Sequence, residues 1–275
     1  MTGPEADVVA HYSSDDLYER ILEALSEMGK FETGLTPDDL KPVDEFHIGG
    51  IAATDNLLAH LDIKPGDRVL DIGCGIGGAA RHVASRLGAR PTGVDLTPAF
   101  VETARRLTAL VGLDAEFEVG SALDLPVEDA SFDVALMLHV GMNLADKDKL
   151  FREAARALKP GGAFALYDIM AKGDGAFDLP VPWASEGETS YVATPDAYRA
   201  AGEAAGLDLE VENDRTKFAC AFFDRLAAGA GRGPAPPLGL PILMGPTAPV
   251  KYGNMVNAVR AGGLAPVEMI FRKPA

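Results

Sequence analysis

Apolar and polar positions along the chain predict strands that alternate with helices between residues 68 and 169. Apolar runs of strand length are separated by segments in which apolar residues recur at helical spacing. The predicted strands lie at residues 68–74, 91–96, 115–119, 132–139 and 162–169. Alternation of this kind gives a mostly parallel sheet with helices on both of its faces.

Three helices are predicted before the sheet. Apolar residues recur at helical spacing from 17 to 28, and a third helix is indicated at 52–61. Between them, Thr36 and Pro37 have the residue types that favour the N-cap and the first turn of a helix. We therefore expect a helical cap in front of the sheet.

After residue 170, regular elements alternate with irregular segments. Strands near 209–213 and 265–272 bring the predicted sheet to seven strands. Residues 171–193 lack periodicity, which is typical of lids and binding loops, and a second loop at 229–249 is apolar and rich in glycine and proline. The predicted fold class is α/β, with a Rossmann-like seven-stranded sheet, an N-terminal helical cap and late lid insertions. We predict one domain in three parts, a helical cap at 1–60, a cofactor-binding core at 61–170 and lid insertions with the closing strands at 171–275.

Composition narrows the class of protein. The 275 residues carry a net charge of −16, which repels polyanions, so no nucleic acid partner is expected. Two cysteines do not support a disulfide framework, and no His, Asp or Glu grouping has metal-ligand spacing. The N-terminus lacks the features of a signal peptide, and no apolar run approaches the ~20 residues of a membrane span. We expect a cytoplasmic, metal-independent protein that acts on a small molecule, with an oligomer allowed but not indicated.

The segment that says most about ligand binding is 69–78, a predicted apolar strand that ends in a glycine turn. Gly73, Gly75 and Gly78 match the pattern G-x-G-x-x-G, in which glycines let a nucleotide ligand approach the backbone. Asp71 precedes this turn by two residues, where its carboxylate would repel a pyrophosphate and attract a cationic amino acid group. That preference favours S-adenosylmethionine over a dinucleotide.

Asp95 ends the next predicted strand, about 20 residues beyond the glycine turn. This is the spacing at which a carboxylate accepts hydrogen bonds from a ribose diol. Asp95 supports a nucleoside ligand without choosing between S-adenosylmethionine and a nicotinamide cofactor.

Four motifs carry a resemblance to a known family. They lie at 69–78, 93–95, 131–134 and 158–162, and their order and spacing resemble the class I S-adenosylmethionine-dependent methyltransferases over roughly residues 61–169. Ser121 stands where this family usually has an acidic residue for adenine, which leaves backbone N–H groups as the candidates there. The cofactor-binding residues we predict are Asp71, Gly73, Cys74, Gly75, Gly77, Asp95, Leu96, Ala122, Leu123, His139, Gly49 and Gly50.

The N-terminal region is similar to a narrower branch. Tyr12 and the segment 46–50 resemble the phosphoethanolamine and sarcosine/dimethylglycine N-methyltransferases. The branch implies methylation of a small amine. Alternatives are O- or C-methylation of a phenol or quinone, a nicotinamide oxidoreductase and a non-catalytic nucleoside-binding module.

Three residues are candidates for catalysis, each with a structural alternative. His139 ends the fourth predicted strand, where open parallel sheets present ligand contacts, or it is a structural histidine. His47 belongs to the segment that resembles the cofactor lid, or it is a surface residue beside a glycine turn. Tyr12 would close over the cofactor, or it anchors the cap helix.

Three further residues are candidates for substrate binding. Asn143 follows His139 on the next loop and would orient the substrate, or it forms an Asx turn. Trp183 would offer a cation–π face to an ammonium group, or it packs inside a lid. Asp168 ends the fifth predicted strand and would bind substrate, or it caps a helix or loop.

Overall fold

A computed structural model describes residues 16–185, 187–229, 236–239 and 241–275, so that Tyr12 lies outside the described residues. The strands are β1 (Arg68–Ile72), β2 (Arg90–Asp95), β3 (Glu116–Val119), β4 (Phe132–Leu138), β5 (Leu158–Ala171), β6 (Asp208–Asp214) and β7 (Leu264–Arg272). The helices of the described residues are α1 (Leu17–Glu27), α2 (Pro37–Asp44), α3 (Ile51–Leu58), α4 (Gly78–Leu87), α5 (Pro98–Leu110), α6 (Lys147–Ala157), α7 (Pro195–Ala204), α8 (Thr216–Gly229), α9 (Pro241–Met244) and α10 (Ala248–Ala261). Short 3₁₀ turns lie at Gly141–Asn143 and Gly187–Thr189.

The strands form one seven-stranded sheet in the order β3-β2-β1-β4-β5-β7-β6. The pairs from β3 to β5 are parallel, whereas β7 is antiparallel to both β5 and β6. The mostly parallel α/β fold predicted from the sequence is confirmed. The strand order reverses between β1 and β4, and ligands of open α/β sheets bind beyond the carboxyl ends of the strands at such a switch point.

Both faces of the sheet are covered, which is why its central strands are buried along most of their length. On one face, the ring of Phe151 in α6 lies 5.2 Å from the ring of Phe164 and 5.0 Å from that of Phe271. On the other face, Leu57 of α3 and Val83 of α4 belong to a buried cluster with strand residues. The two apolar layers fix the sheet that carries the switch point.

The N-terminal helices are held against the glycine turn by a buried ion pair. Arg81 of α4 is fully buried and donates to the carboxylate of Asp44, the last residue of α2, and to the Thr108 hydroxyl at 3.1 Å. Gly78 lies directly against the backbone of Asp44, where a Cβ would overlap it. The end of α2 therefore packs directly against the start of α4. The predicted N-cap is also present, because Asp39 Oδ2 accepts from the Thr36 N–H at 2.8 Å.

Candidate functional site

A cavity of about 370 Å³ opens at the carboxyl ends of β1, β2 and β4. Its lining combines the glycine turn, the ends of these strands, the segment before α3 and residues of α8, α9 and α10. The predicted residues that line it are His47, Asp71, Gly73, Cys74, Gly75, Asp95, Leu96, Ala122, Leu123, His139, Asn143 and Trp183. Gly49, Gly50, Gly77 and Asp168 do not line it.

Two glycines of the turn serve different purposes. Gly73 has a φ of +73°, and a Cβ there would overlap the side chain of Val140. Gly75 has a φ of +53°, and a Cβ there would meet no atom of the described residues within 4 Å. Gly73 is therefore required by packing inside the protein, whereas the missing side chain of Gly75 leaves space at the cavity.

Asp71 lines the cavity, and one of its carboxylate oxygens is unpaired among the described residues. The residue is 2% exposed, and its Oδ2 atom has no hydrogen-bond partner among the described residues. Burial, followed by the charge of Asp95, raises the pKa of Asp71 to about 7, although a hydrogen bond with the Ala80 backbone opposes the rise. Buried carboxylate oxygens almost always have a partner. An ammonium group would supply both the missing donor and a positive charge.

Asp95 stabilises the glycine turn by hydrogen bonds to the backbone. Its Oδ2 accepts from the Gly75 N–H at 2.9 Å and its Oδ1 from the Thr97 N–H at 2.8 Å. Burial raises the pKa of Asp95, and these two backbone hydrogen bonds oppose the rise. Each carboxylate oxygen keeps a second lone pair. The carboxylate can therefore hold the turn and still accept from a ligand hydroxyl, as predicted for ribose.

The residues that follow β3 differ from the expectation for adenine in one respect. Ala122 and Leu123 both line the cavity, but the Leu123 N–H donates to the Ser121 hydroxyl at 3.0 Å. That N–H group is already engaged in the turn. A role in binding adenine stays a prediction for the neighbouring backbone.

His139 lies just beyond β4 rather than inside a strand, in a strained backbone conformation. Its φ is +54°, and its N–H donates to the Tyr167 carbonyl oxygen at 2.7 Å. A side chain in this left-handed region is uncommon, costs on the order of 1–3 kcal/mol and is often found at functional sites. The imidazole Nε2 is buried and has no partner among the described residues.

His47 and His139 stand close together at the cavity. Their ring centroids are 5.8 Å apart, and the ring of Tyr167 is 5.1 Å from that of His139. Burial lowers the pKa of His47 to about 4. Burial, with His47 nearby, also holds the pKa of His139 well below its ordinary value. Both imidazoles are therefore neutral at pH 7, and each has one ring nitrogen without a proton.

Three predicted cofactor glycines have structural roles instead. A Cβ on Gly49 would overlap the ring of Phe218, and Gly50 is the N-cap of α3. Gly77 is the N-cap of α4, in a left-handed conformation, with its Cα face against Phe117. Packing and helix initiation therefore explain these glycines, none of which lines the cavity, and their contact with the cofactor stays a prediction.

Asp168 also does not line the cavity, and its surroundings match the alternative of a structural role. It is fully buried, and its Oδ2 accepts from the Tyr198 hydroxyl at 2.5 Å while its Oδ1 accepts from the Ile169 N–H at 2.9 Å. Burial raises the pKa of Asp168 to about 6. Its side chain joins β5 to α7, so no face of it is open to a substrate.

Asn143 and Trp183 both reach the cavity, with different surroundings. The Oδ1 atom of Asn143 is buried without a partner among the described residues, and Asp146 rather than Asn143 caps α6. Trp183 is 2% exposed and donates from Nε1 to the Ser190 hydroxyl at 2.9 Å. The tryptophan matches the alternative of lid packing, whereas Asn143 keeps an oxygen available to a ligand.

Several lining residues were not found from the sequence. They come from late helices and from the loop after β4, and include Met142, Phe222, Tyr252 and Met255. Tyr252 has a buried hydroxyl without a partner among the described residues, and burial raises its pKa to about 12. The helical spacing of apolar residues in 250–261 indicates an apolar face on this helix, but it does not show that this face lines the cavity.

Within the described residues, no group of three or more His, Cys, Asp or Glu side chains could hold a metal ion. Every helix in the same part of the chain is too short or too polar to span a bilayer.

Comparison with known proteins identifies the family. The family model described as "Methyltransferase domain" matches residues 70–166. Methyltransferase GfsG of Streptomyces halstedii is 32% identical over 201 residues, which are 70% of this chain and 72% of that protein. The dimethylglycine N-methyltransferase of Parasynechococcus marenigrum is 32% identical over 199 residues, 66% of this chain and 71% of that protein.

A similar fold is found among solved structures. A geranyl diphosphate methyltransferase in complex with GPP and sinefungin has a TM-score of 0.72 at 20% identity, covering 99% of this chain and 100% of that one. The chain belongs to the S-adenosylmethionine-dependent methyltransferases. Its methyl donor is S-adenosylmethionine, and the nicotinamide oxidoreductase alternative is set aside.

Proposed function

We propose that this methyltransferase acts on a hydroxyl group of a neutral, largely apolar small molecule, with a histidine as the proton acceptor. The observation that carries the proposal is the pair of neutral imidazoles, His47 and His139, at a cavity with an apolar lining. A hydroxyl is a weak nucleophile that must lose its proton during attack, and a neutral imidazole suits that task.

The chemistry of the lining supports a neutral acceptor. Among the described residues that line the cavity there is no Lys or Arg, whereas four aspartates are present. An acceptor with a carboxylate or a phosphate would lose its hydration without gaining a cation, which is costly. Apolar side chains make up much of the remaining wall, including Ile48, Met142, Trp183, Phe222 and Met255.

The residues present fit the methyl donor. The unpaired Oδ2 of Asp71 would hold the ammonium group, Asp95 would accept from the ribose, and Gly75 would leave room for the ligand beside the backbone. When bound, S-adenosylmethionine supplies a methyl group activated by a positively charged sulfur. The chain's own contribution is to orient the acceptor, exclude water and take up its proton.

An amine acceptor is a second candidate. It is favoured by the 32% identity to a dimethylglycine N-methyltransferase over 71% of that protein. A neutral, apolar amine would satisfy the same lining. The predicted cation–π role of Trp183 is less favoured, because the indole is 2% exposed and packs 6.0 Å from the ring of Phe177.

The remaining predictions extend this proposal. Because the net charge is −16, a nucleic acid substrate is disfavoured, and we keep the cytoplasm as the expected location. The division into a cap at 1–60, a core at 61–170 and lids at 171–275 stays a prediction, as does the role of Tyr12.

An acceptor panel tests the proposal. Labelled methyl transfer would be measured to 1-naphthol and 1-naphthylamine, which are both neutral and apolar but differ in the accepting atom, and to dimethylglycine, which is charged. We expect transfer to neutral apolar acceptors, with the hydroxyl compound preferred, and no transfer to dimethylglycine. Turnover confined to carboxylated or phosphorylated amines would contradict the neutral acceptor. Turnover confined to 1-naphthylamine would select the second candidate.

A matched pair of glycine substitutions tests the cofactor space. Gly75→Ala is expected to weaken S-adenosylhomocysteine binding by about 2 kcal/mol, roughly 30-fold, because the added methyl group occupies ligand space. Gly112→Ala is the control, since Gly112 has a φ of +66° and does not line the cavity, and a Cβ there would meet no atom of the described part of the chain within 4 Å. Both variants bear the same left-handed strain of about 1–2 kcal/mol. Equal affinities by calorimetry would show that Gly75 serves the turn and not the ligand.

A further inference from the structure

Glu45, Thr54 and His47 form a buried hydrogen-bonded group beside the cavity. Thr54 of α3 is fully buried and donates its hydroxyl proton to Glu45 Oε2 at 2.9 Å. The Nε2 atom of His47 lies 3.1 Å from Thr54 Oγ1, 3.1 Å from the Gly50 carbonyl oxygen and 3.4 Å from Glu45 Oε2. Three oxygen atoms thus surround one ring nitrogen.

The protons of this group determine the tautomer of His47. A carbonyl oxygen can only accept, so the hydrogen bond to Gly50 requires a proton on Nε2. The hydroxyl proton of Thr54 is already given to Glu45, so Thr54 can accept from Nε2 but not donate to it. His47 is therefore the Nε2–H tautomer, and Nδ1 is the ring nitrogen that carries no proton.

The local backbone explains how the chain builds this arrangement. Gly50 has φ +55° and ψ −148°, a conformation that is essentially restricted to glycine. It lets the chain turn back so that the Gly50 N–H donates to the His47 carbonyl oxygen at 3.2 Å while its own carbonyl accepts from the imidazole. The ring is held by this turn on one side and by α3 on the other.

We propose that Glu45 is a positioning residue for methyl transfer, which acts through Thr54 and Nε2 of His47 to present Nδ1 to the acceptor. The inference rests on the proposed function, in which the acceptor is a hydroxyl. As the acceptor oxygen forms its bond to the methyl carbon, its O–H bond breaks and the proton passes to Nδ1, while sulfur keeps the electron pair of its former bond to carbon. The carboxylate then faces a positively charged ring, as in other sites where a carboxylate orients and stabilises a histidine base.

The tautomer can be measured without any substrate. The chain has five histidines, so ¹⁵N-histidine labelling gives a small set of ring signals, and the His47 signals are those lost in His47→Asn. We expect a protonated Nε2 and an unprotonated Nδ1 in the wild type. Thr54→Val should shift His47 toward a mixture of tautomers, and Thr54→Ser should keep the wild-type signals. A protonated Nδ1 in the wild type would overturn the proposal.

Turnover of 1-naphthol provides the second readout. Thr54→Val and Glu45→Gln are each expected to lower kcat by about 10- to 100-fold, because the base is misplaced, with KM and S-adenosylhomocysteine affinity changed by less than about threefold. Thr54→Ser should recover kcat to within about threefold of the wild type, since it restores the hydroxyl group. The double variant should be no slower than the slower single variant, because the residues act as one unit.

Thr103→Val is the matched control. Thr103 is a buried helical threonine whose hydroxyl donates to the Ala99 carbonyl oxygen at 2.8 Å, and it does not line the cavity. Its substitution should leave kcat unchanged. Wild-type kcat in Thr54→Val and Glu45→Gln, with His47→Asn inactive, would refute the positioning role and leave the proposed function intact. Wild-type kcat in His47→Asn would refute both the positioning role and the base.

Discussion

Asp71→Asn is expected to weaken S-adenosylhomocysteine binding by about 10- to 150-fold. The wild-type carboxylate offers a buried oxygen without a protein partner, and a hydrogen bond to a charged group is worth about 1.5–3 kcal/mol. Asparagine keeps the shape but removes the charge that would pair with the ligand's ammonium group. Isothermal titration calorimetry at pH 8 measures the difference directly.

The same residue predicts how binding depends on pH. The pKa of Asp71 is about 7 because the carboxylate is buried, so it is mostly protonated at pH 6 and mostly ionised at pH 8. Only the ionised form attracts the ammonium group, so binding at pH 6 must release a proton. Affinity should therefore be about tenfold lower at pH 6 than at pH 8. Calorimetry in buffers of different ionisation enthalpy counts the released proton.

Asp133→Asn is the control for both measurements. Asp133 pairs with Lys159 at 2.7 Å near the amino end of β4, away from the cavity. Its loss should change the affinity by less than about twofold and leave the pH dependence in place. A pH-independent affinity in the wild type, together with unchanged binding in Asp71→Asn, would remove Asp71 from the cofactor site.

The parts of the site that the sequence predicts are those set by a few neighbouring residues. Asp71, Gly73 and Gly75 belong to one strand and turn, where spacing along the chain fixes spacing in space. Asp95 lies close to these residues because β1 pairs in parallel with β2, so that Ile72 lies beside Val94. Strand alternation therefore predicts the fold, and the glycine spacing brings these residues together at the cavity, whereas their contacts with the nucleoside stay a prediction.

Residues outside this turn needed the packed structure. The inner residues of β5 are buried on both faces, so its pattern does not indicate that Asp168 faces Tyr198 of α7 and not the cavity. Glycines that pack against aromatic rings, such as Gly49 on Phe218, have the same sequence signature as glycines that approach a ligand. The apolar wall contributed by α8 and α10 depends on how those helices fold back over the sheet.

His139→Asn is expected to lower kcat by about 10²-fold with little change in S-adenosylhomocysteine affinity, because the unpaired Nε2 that would orient the acceptor hydroxyl is lost from the cavity. Full turnover in this variant would remove His139 from the mechanism. Asparagine tolerates the φ of +54°, so the substitution does not change the backbone strain.

In the wild type, kcat at saturating donor should stay level from pH 8 to pH 6, since a His47 pKa of about 4 keeps that ring unprotonated there. Over the same range kcat/KM for the donor should fall about tenfold as Asp71 gains its proton. A kcat that instead falls around pH 6.5 would show that the proton acceptor titrates like an ordinary imidazole and not like a buried ring with a lowered pKa.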